Sequence, residues 1–270
     1  TREMPTVESA GAQIYYEAVG EGPAILFAHG AGGNAASWWQ QVPEFRRDHR
    51  VITFDHRGFG RSRCSPEEFS ASRFDADALA ILDAERVERA AVVCQSMGGW
   101  TGVRLAVNHP ERVSALVLGN TPGAIYSDAL RDQMRTLVPR PAGGDLTAMT
   151  LGAPFKRADP NGAYLYTAIT AFNVTPMPLT ALMARDAFVP ADRLRPFPVP
   201  VMMIASDLDA TFPLALLHAW RMLGTFRYGP DFMNIRGDRS QEGGLSSVGY
   251  DDDGVRPEDF LITKNGIFND

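Results

Sequence analysis

The sequence has few cysteines, no long apolar run and no secretion signal. Its two cysteines, Cys64 and Cys94, are far apart and fall on different predicted elements, so no disulfide framework is indicated. No stretch approaches the roughly 20 apolar residues that would cross a bilayer. Residues 1–22 are polar and lack the basic region and apolar run of a secretory signal. We therefore expect a cytoplasmic protein with no membrane partner.

An excess of positive charge is also absent. The formal net charge is -6, and the acidic residues are dispersed along the chain, which disfavours binding to the phosphates of a nucleic acid. Neither metal-ligand spacing nor a dinucleotide fingerprint occurs, so we expect no cofactor and no metal. The oligomeric state stays open, with a homodimer as one option.

The apolar residues that are present predict an α/β fold. With 270 residues, 45% of them hydrophobic, the chain can form one domain around a sizeable core. Helix-like segments alternate with short continuous apolar runs, which indicates a mostly parallel sheet flanked by helices. The predicted helices cover 71–86 and 97–108. The predicted strands are 24–28, 51–54, 90–94, 113–118 and 199–205, preceded by a hairpin strand at 13–19 with its turn near 8–11.

Two regions depart from this alternation. About eighty residues separate the strand near 118 from the one near 199, and an excursion this long in a compact sheet predicts a helical cap at 123–196. The tail at 224–270 is polar and rich in Gly and Asp, and only 260–263 resemble a strand. We treat the chain as one domain, 1–270, that contains the cap and ends in an atypical tail.

The clearest chemical signal is Ser96, in the sequence CQSMGG between a predicted strand and a predicted helix. A nucleophile elbow requires this context, because a tight strand-to-helix turn raises the serine above the sheet edge and needs small neighbours. Gly98 and Gly99 satisfy that need. Cys94 stands two residues before the serine, where the GxSxG pattern has glycine. The alternative is a serine that only caps the helix.

A second signal is the glycine-rich segment that begins at His29 and follows the strand 24–28. Such a turn leaves backbone N–H groups free to stabilise an oxyanion, and one such donor can contribute about 3 kcal/mol. We predict the amides of Ala31 and Met97 as the donors of an oxyanion hole. We expect His29 to be structural, with its ring hydrogen-bonded to the loop.

The third signal is the turn DHRGFGRS that starts at Asp55, directly after the strand 51–54. We expect a turn braced by an Asp–Arg pair, which shapes a pocket wall without taking part in chemistry. His56 is expected to be exposed on this turn.

These three segments, in this order, resemble the α/β-hydrolase superfamily, in particular its esterases, its lactonases related to 3-oxoadipate enol-lactonase, and its carbon–carbon-bond hydrolases. The resemblance covers roughly 15–223 and implies a serine hydrolase that acts on an ester, lactone or related carbonyl substrate. It also implies an acidic residue on the turn after the strand 199–205. Asp209 takes that position, with Asp207 as the alternative, and either could instead cap a following helix.

The resemblance fails at the histidine, which the family supplies some 25 to 30 residues after the acid. No histidine follows His218, which lies nine residues past Asp209 in a predicted helix that leads away from Ser96. Without a base the serine hydroxyl is a weak nucleophile. The hydrolase is therefore expected to be impaired. The alternatives are a non-catalytic binding protein that kept the pocket, and a tail that replaces the true C-terminus of an ordinary esterase.

Aromatic residues near the glycine-rich segment are candidates for substrate contact. Trp38 and Trp39 follow it closely, and we predict them as substrate-binding residues, with core packing as the default for at least one of them. The cap also supplies apolar side chains that either line an acyl pocket or pack the cap onto the sheet. They are Met134, Met149, Met177, Met183, Tyr164, Tyr166 and Phe172.

Overall fold

The structure is a computed structural model that describes residues 5–126, 150–173, 178–194, 199–204, 235–238, 259–264 and 267–268. Its strands are β1 (Thr6–Ser9), β2 (Ala12–Val19), β3 (Ala24–Ala28), β4 (Arg50–Phe54), β5 (Ala90–Gln95), β6 (Val113–Gly119), β7 (Ile125–Tyr126), β8 (Val189–Pro190), β9 (Val201–Ile204), β10 (Ile235–Asp238), β11 (Asp259–Lys264) and β12 (Ile267–Phe268). The α-helices are α1 (Gln41–Phe45), α2 (Phe74–Ala84), α3 (Gly98–Asn108), α4 (Ala153–Ala158) and α5 (Pro160–Thr170). Short 3-10 helices cover Ala35–Trp38, Ala71–Arg73, Pro110–Arg112, Leu179–Met183, Arg185–Ala187 and Ala191–Leu194.

Seven strands form the main sheet, in the order β1-β2-β4-β3-β5-β6-β9. β1 and β2 form the predicted hairpin, β2 also pairs antiparallel with β4, and the remaining neighbours are parallel. The α/β class and the mostly parallel sheet predicted from the apolar runs are confirmed. All six predicted strands are present, with ends shifted by no more than a few residues.

The sheet is apolar because it is covered on both faces. Along β3, Leu26 and Ala28 belong to the large core cluster, whereas Ile25 and Phe27 belong to a smaller cluster on the opposite face. Strands buried in this way lose the polar alternation of a half-exposed sheet. Helices α2 and α3 pack beside each other and contribute Ile81, Leu82, Val103 and Leu105 to the large cluster.

The described part of the excursion between β6 and β9 is mainly helical. It contains α4, α5 and three of the 3-10 helices, and β7 pairs in parallel with β8 across it. We call residues 150–194 of this region the cap segment. The predicted cap boundaries at 123 and 196 stay a prediction. Among the described residues, no helix is both long enough and apolar enough to cross a membrane.

The tail contains more strand structure than its sequence indicates. β11 agrees with the predicted strand at 260–263, but β10 and β12 were not predicted, and together the three form an antiparallel sheet. β10 reads IRGD, and Gly and Asp are depleted in strands, so no strand pattern marks it.

Candidate active site

Ser96 lies on the turn between β5 and α3, as the motif predicts. It is partly exposed and adopts φ +49, a left-handed conformation that costs a non-glycine residue about 1–3 kcal/mol. Its N–H donates to the Gly119 carbonyl at 3.0 Å, and its carbonyl accepts from the Gly99 N–H at 2.9 Å. Strain held in place by neighbouring strands and a helix is typical of a functional residue.

Close backbone packing explains the small residues around Ser96. A Cβ at Gly98 would lie 2.1 Å from the Ala28 carbonyl oxygen, so α3 begins directly against the end of β3. Cys94 fits at a position where the motif has glycine because it faces another glycine. A Cβ at Gly102 would lie 2.3 Å from the Cys94 Sγ. Burial raises the pKa of this thiol, so Cys94 acts as a small apolar residue of the core.

The glycine-rich segment lies against the serine. A Cβ at Gly30 would lie 3.1 Å from the Ser96 Cβ and 2.1 Å from the Gln95 Oε1. The segment then turns through Gly32, which has φ +82 and would be strained by any side chain. We call residues 29–34 the oxyanion loop, after the role that we predict for it.

The orientation of the Ala31 amide follows from contacts of the peptide unit that contains it. The Gly30 carbonyl accepts from the Gly33 N–H at 3.0 Å and from His29 Nδ1 at 2.7 Å. In a planar trans peptide the N–H points away from the carbonyl of the same unit, so the Ala31 N–H is directed away from both donors. Among the described residues, neither the Ala31 nor the Met97 amide has an acceptor.

The Met97 amide has a second advantage as an oxyanion donor. Met97 is the N-cap residue of α3, a helix of 11 residues. The N-terminus of such a helix carries partial positive charge, which favours an anion close by. Two amides without an acceptor in the described part of the chain, beside a strained serine, form the arrangement that acyl transfer needs. Their catalytic roles stay predictions.

His29 is structural, as expected. Its Nε2 accepts from the backbone N–H of His56 at 2.9 Å, so Nδ1 carries the proton that is donated to Gly30. Burial lowers the pKa of His29 to about 4, although the hydrogen bond to Gly30 opposes the shift. Both ring nitrogens are therefore occupied in the neutral form, which leaves none for general base catalysis.

The expectation that His56 is exposed is wrong. His56 is fully buried, its Nε2 lies 2.8 Å from the Thr101 Oγ1 on α3, and burial lowers its pKa well below the ordinary value. The turn folds inward because the ring packs among Phe54, Phe74 and His29. The Nδ1 of His56 is buried and has no partner among the described residues.

The turn is braced by an Asp–Arg pair, as expected, but the aspartate of the pair comes from α2 and not from the turn. The Asp55 carboxylate accepts from two backbone amides, Ala35 at 2.6 Å and Arg61 at 2.7 Å. This carboxylate thus connects the turn with Ala35, the residue after the oxyanion loop. Burial raises the pKa of Asp55. The guanidinium of Arg57 instead pairs with Asp77 on α2, and both side chains are fully buried.

The two tryptophans differ in their surroundings. Trp38 packs on Phe27, with ring centroids 4.8 Å apart, against the smaller core cluster. The Nε1 of Trp38 is buried and has no partner among the described residues. Trp39 is 49% exposed. Substrate contact by either one stays a prediction. Of the apolar cap side chains, Tyr164, Phe172 and Met183 are exposed, and Met134, Met149 and Met177 lie outside the described residues.

No sequence pattern marks the two asparagines that join the oxyanion loop to the cap segment. Asn34 Nδ2 donates to the Ile169 carbonyl at 2.8 Å, and Asn173 Nδ2 donates to the Gly32 carbonyl at 2.6 Å. Partners 135 and 141 residues away leave no local pattern. Only the capping of Ala35–Trp38 by Asn34 could have been read from the sequence.

The segment after β9 contains the predicted acid and His218. Asp209, Asp207 and His218 lie outside the described residues. Within the part of the chain that the structure describes, no side chain forms a hydrogen bond with the Ser96 hydroxyl, and no group of three or more His, Cys, Asp or Glu side chains could hold a metal ion.

Comparison with known families agrees with this geometry. The sequence model of the family described as alpha/beta hydrolase fold matches residues 23–223. The match includes the oxyanion loop, the elbow at Ser96 and the cap segment. The chain therefore belongs to the α/β-hydrolase fold family.

Individual relatives match a shorter part of the chain. RutD of Azorhizobium caulinodans, whose name proposes a carbamate hydrolase, is 38% identical over 117 residues, which are 43% of this chain and 44% of that protein. The 3-oxoadipate enol-lactonase 2 of Acinetobacter baylyi is 34% identical over 103 residues, 38% of this chain and 39% of the relative. These matches thus span less than half the length of the curated relatives.

A solved structure extends the similarity over most of the fold. Est816, described as an N-acyl homoserine lactone degrading enzyme, superposes with a TM-score of 0.63 at 27% identity. The superposition covers 80% of this chain and 87% of Est816.

Proposed function

We propose that this chain is a serine hydrolase of the carboxylesterase or lactonase type that cleaves an ester, lactone or related carbonyl substrate. The observation that carries the proposal is the strained Ser96 beside the amides of Ala31 and Met97, which have no acceptor among the described residues. The relatives support the substrate class, because their names refer to a carbamate, an enol-lactone and an acyl homoserine lactone.

The mechanism follows from these positions. The Ser96 Oγ attacks the carbonyl carbon, and the amides of Ala31 and Met97 stabilise the oxyanion that develops. Collapse of the tetrahedral intermediate breaks the C–O bond to the leaving alkoxide, which takes up the proton lost by Ser96 through water. An acyl group stays on Ser96, and water then hydrolyses it. Asp209 is the acid that we propose for the site.

Among the described residues, no side chain is hydrogen-bonded to the Ser96 hydroxyl and placed to accept its proton. No histidine follows His218 in the sequence, and both ring nitrogens of His29 are engaged in the core. A serine site that lacks one triad member keeps about 10³–10⁴-fold acceleration over water, from the oxyanion hole and binding. We therefore propose slow hydrolysis, with turnover below the ordinary range of about 1–10³ s⁻¹.

The test is hydrolysis of an activated ester by the wild type and by Ser96→Ala. We expect slow turnover that is lost in Ser96→Ala and is little changed in His218→Ala. Turnover in the ordinary range would contradict the impaired site. If His218→Ala then abolished that activity, His218 would be the base.

The same lack of a base favours a second candidate, a small-molecule-binding protein that retains the hydrolase pocket. Equal rates for wild type and Ser96→Ala, combined with tight binding of a lactone or ester by both, would support this candidate and exclude hydrolysis by Ser96.

A further inference from the structure

Asn173 connects three separate parts of the molecule through one side-chain amide. It lies just after the end of α5. Its Nδ2 donates to the carbonyls of Gly32 at 2.6 Å, Gly33 at 3.2 Å and Thr170 at 3.2 Å. Its Oδ1 accepts from the Gly60 N–H at 2.7 Å, in the turn that follows β4.

Chemistry fixes the orientation of this amide. Carbonyl oxygens can only accept, and a backbone N–H can only donate, so exchanging the nitrogen and oxygen of Asn173 would set like groups against each other. The side chain therefore holds the oxyanion loop through Nδ2 and the Gly60 turn through Oδ1.

The contact with Gly32 is connected to the proposed oxyanion donor by two further steps. The peptide unit whose carbonyl binds Asn173 carries the Gly33 N–H, which donates to the Gly30 carbonyl at 3.0 Å. The Gly30 carbonyl in turn shares a peptide unit with the Ala31 N–H. A chain of hydrogen-bonded peptide units thus leads from the Asn173 Nδ2 to the Ala31 amide, and such chains strengthen their members cooperatively.

The loop depends on such contacts because it has little packing of its own at this point. A Cβ at Gly32 would meet no atom within 4 Å, so the loop lies beside open space at this residue and is not held by packing there. Asn34 adds a second connection between the same partners, from its Nδ2 to the Ile169 carbonyl in α5 at 2.8 Å. The end of α5 is thus attached to both sides of the turn at Gly32.

We propose that Asn173 is a positioning residue, which fixes the direction of the Ala31 N–H and so couples the placement of α5 in the cap segment to the oxyanion hole. The inference rests on the proposed hydrolase function for its kinetic consequence. The coupling itself concerns the loop and can be measured without turnover.

Two substitutions separate loop positioning from simple attachment of the cap. Asn173→Ala removes both sets of contacts. Asn173→Asp keeps an acceptor for the Gly60 N–H but places a carboxylate oxygen against the carbonyls of Gly32 and Gly33. Thr167→Ala is the matched control on α5, because the Thr167 Oγ1 is exposed and donates within the helix, to the Ala163 carbonyl at 3.1 Å.

The first measurement is amide hydrogen exchange at Gly33, made on the full chain of each variant. We expect faster exchange in Asn173→Ala and Asn173→Asp and the wild-type rate in Thr167→Ala, because the Gly33 N–H loses its fixed position only in the first two. Wild-type exchange at Gly33 in Asn173→Ala would overturn the proposal. So would equal acceleration in all three variants, since that would indicate general loosening of α5.

The second measurement is the kinetics of activated-ester hydrolysis. We expect kcat to fall by between about 10- and 100-fold in both Asn173 variants, with little change in KM, because misplacement of a transition-state donor leaves ground-state binding intact. Wild-type kcat in Asn173→Asp would show that only the Gly60 contact matters and would overturn the proposal. If Ser96→Ala matched the wild type, the proposed function would fail while the exchange measurement still tested the coupling.

Discussion

The two loops that meet at Ser96 are held in place in different ways. The elbow is fixed by its own strand and helix and by the neighbouring strands, through contacts with Gly119 and Ala28. The oxyanion loop is held by distant groups, with Asp55 binding the Ala35 amide and Asn173 binding Gly32. The conformation of the elbow therefore follows from a short motif, whereas the contacts that hold the oxyanion loop depend on the completed tertiary structure.

The largest effect is expected from the buried ion pair between the turn that follows β4 and helix α2. Asp77→Ala leaves the Arg57 guanidinium buried without its carboxylate, which should lower the free energy of unfolding by about 3–5 kcal/mol. Urea unfolding measures this change. The control is Asp83→Ala, whose ion pair with Arg112 involves a carboxylate that is 61% exposed, and which should cost about 1 kcal/mol or less. Similar decreases in the free energy of unfolding for the two variants would show that the buried pair contributes no more than an exposed one.

A pair of glycine substitutions compares the two loops directly. Gly98→Ala places a Cβ 2.1 Å from the Ala28 carbonyl oxygen, so backbone must shift, and we expect a loss of about 3 kcal/mol in the free energy of unfolding. Gly32→Ala meets open space and is strained only by its φ of +82, so it should cost about 1–2 kcal/mol. A larger loss for Gly32→Ala would mean that the oxyanion loop is packed more tightly than the elbow.

The buried histidine of the oxyanion loop predicts a pH dependence of stability. The pKa of His29 is lowered from 6.5 to about 4, so between these values the unfolded chain binds a proton that the folded chain does not. The free energy of unfolding should therefore fall as the pH falls through this window, by about 1.4 kcal/mol per pH unit at most for this residue. His56 contributes in the same direction, whereas the raised pKa of Asp55 opposes the loss at the acidic end.

Urea unfolding across that pH window checks the prediction. His29→Gln should reduce the slope, because the titrating group is removed. His109→Gln is the control, since its ring is partly exposed at the surface. If the free energy of unfolding changed equally with pH in wild type and His29→Gln, His29 would not be the source of the pH dependence.

The sequence was informative where structure is encoded locally. Continuous apolar runs predicted the strands because both faces of the sheet are buried. The motif around Ser96 predicted the turn because the contact with Ala28 requires a glycine at Gly98. Even the departure at Cys94 has a structural reason in Gly102, although the pairing became visible only in the folded chain.

Prediction failed where a residue's role depends on partners far away in the sequence. His56 was expected at the surface, because nothing nearby indicates that Phe54, Phe74 and Thr101 enclose it. Asp55 binds backbone amides, which any sequence can supply, so its partners could not be identified from residue types. Asn173 has its main partners in two distant glycine-rich turns.

The central claim, that Ser96 is the nucleophile, is tested most directly by covalent labelling with a fluorophosphonate followed by peptide mapping. The reagent phosphonylates a serine whose hydroxyl faces an oxyanion hole, and it reports reactivity even where turnover is slow. We predict one adduct, on the peptide that contains Ser96, and no adduct in Ser96→Ala. Equal labelling of the two proteins, or an adduct on another residue, would contradict the assignment.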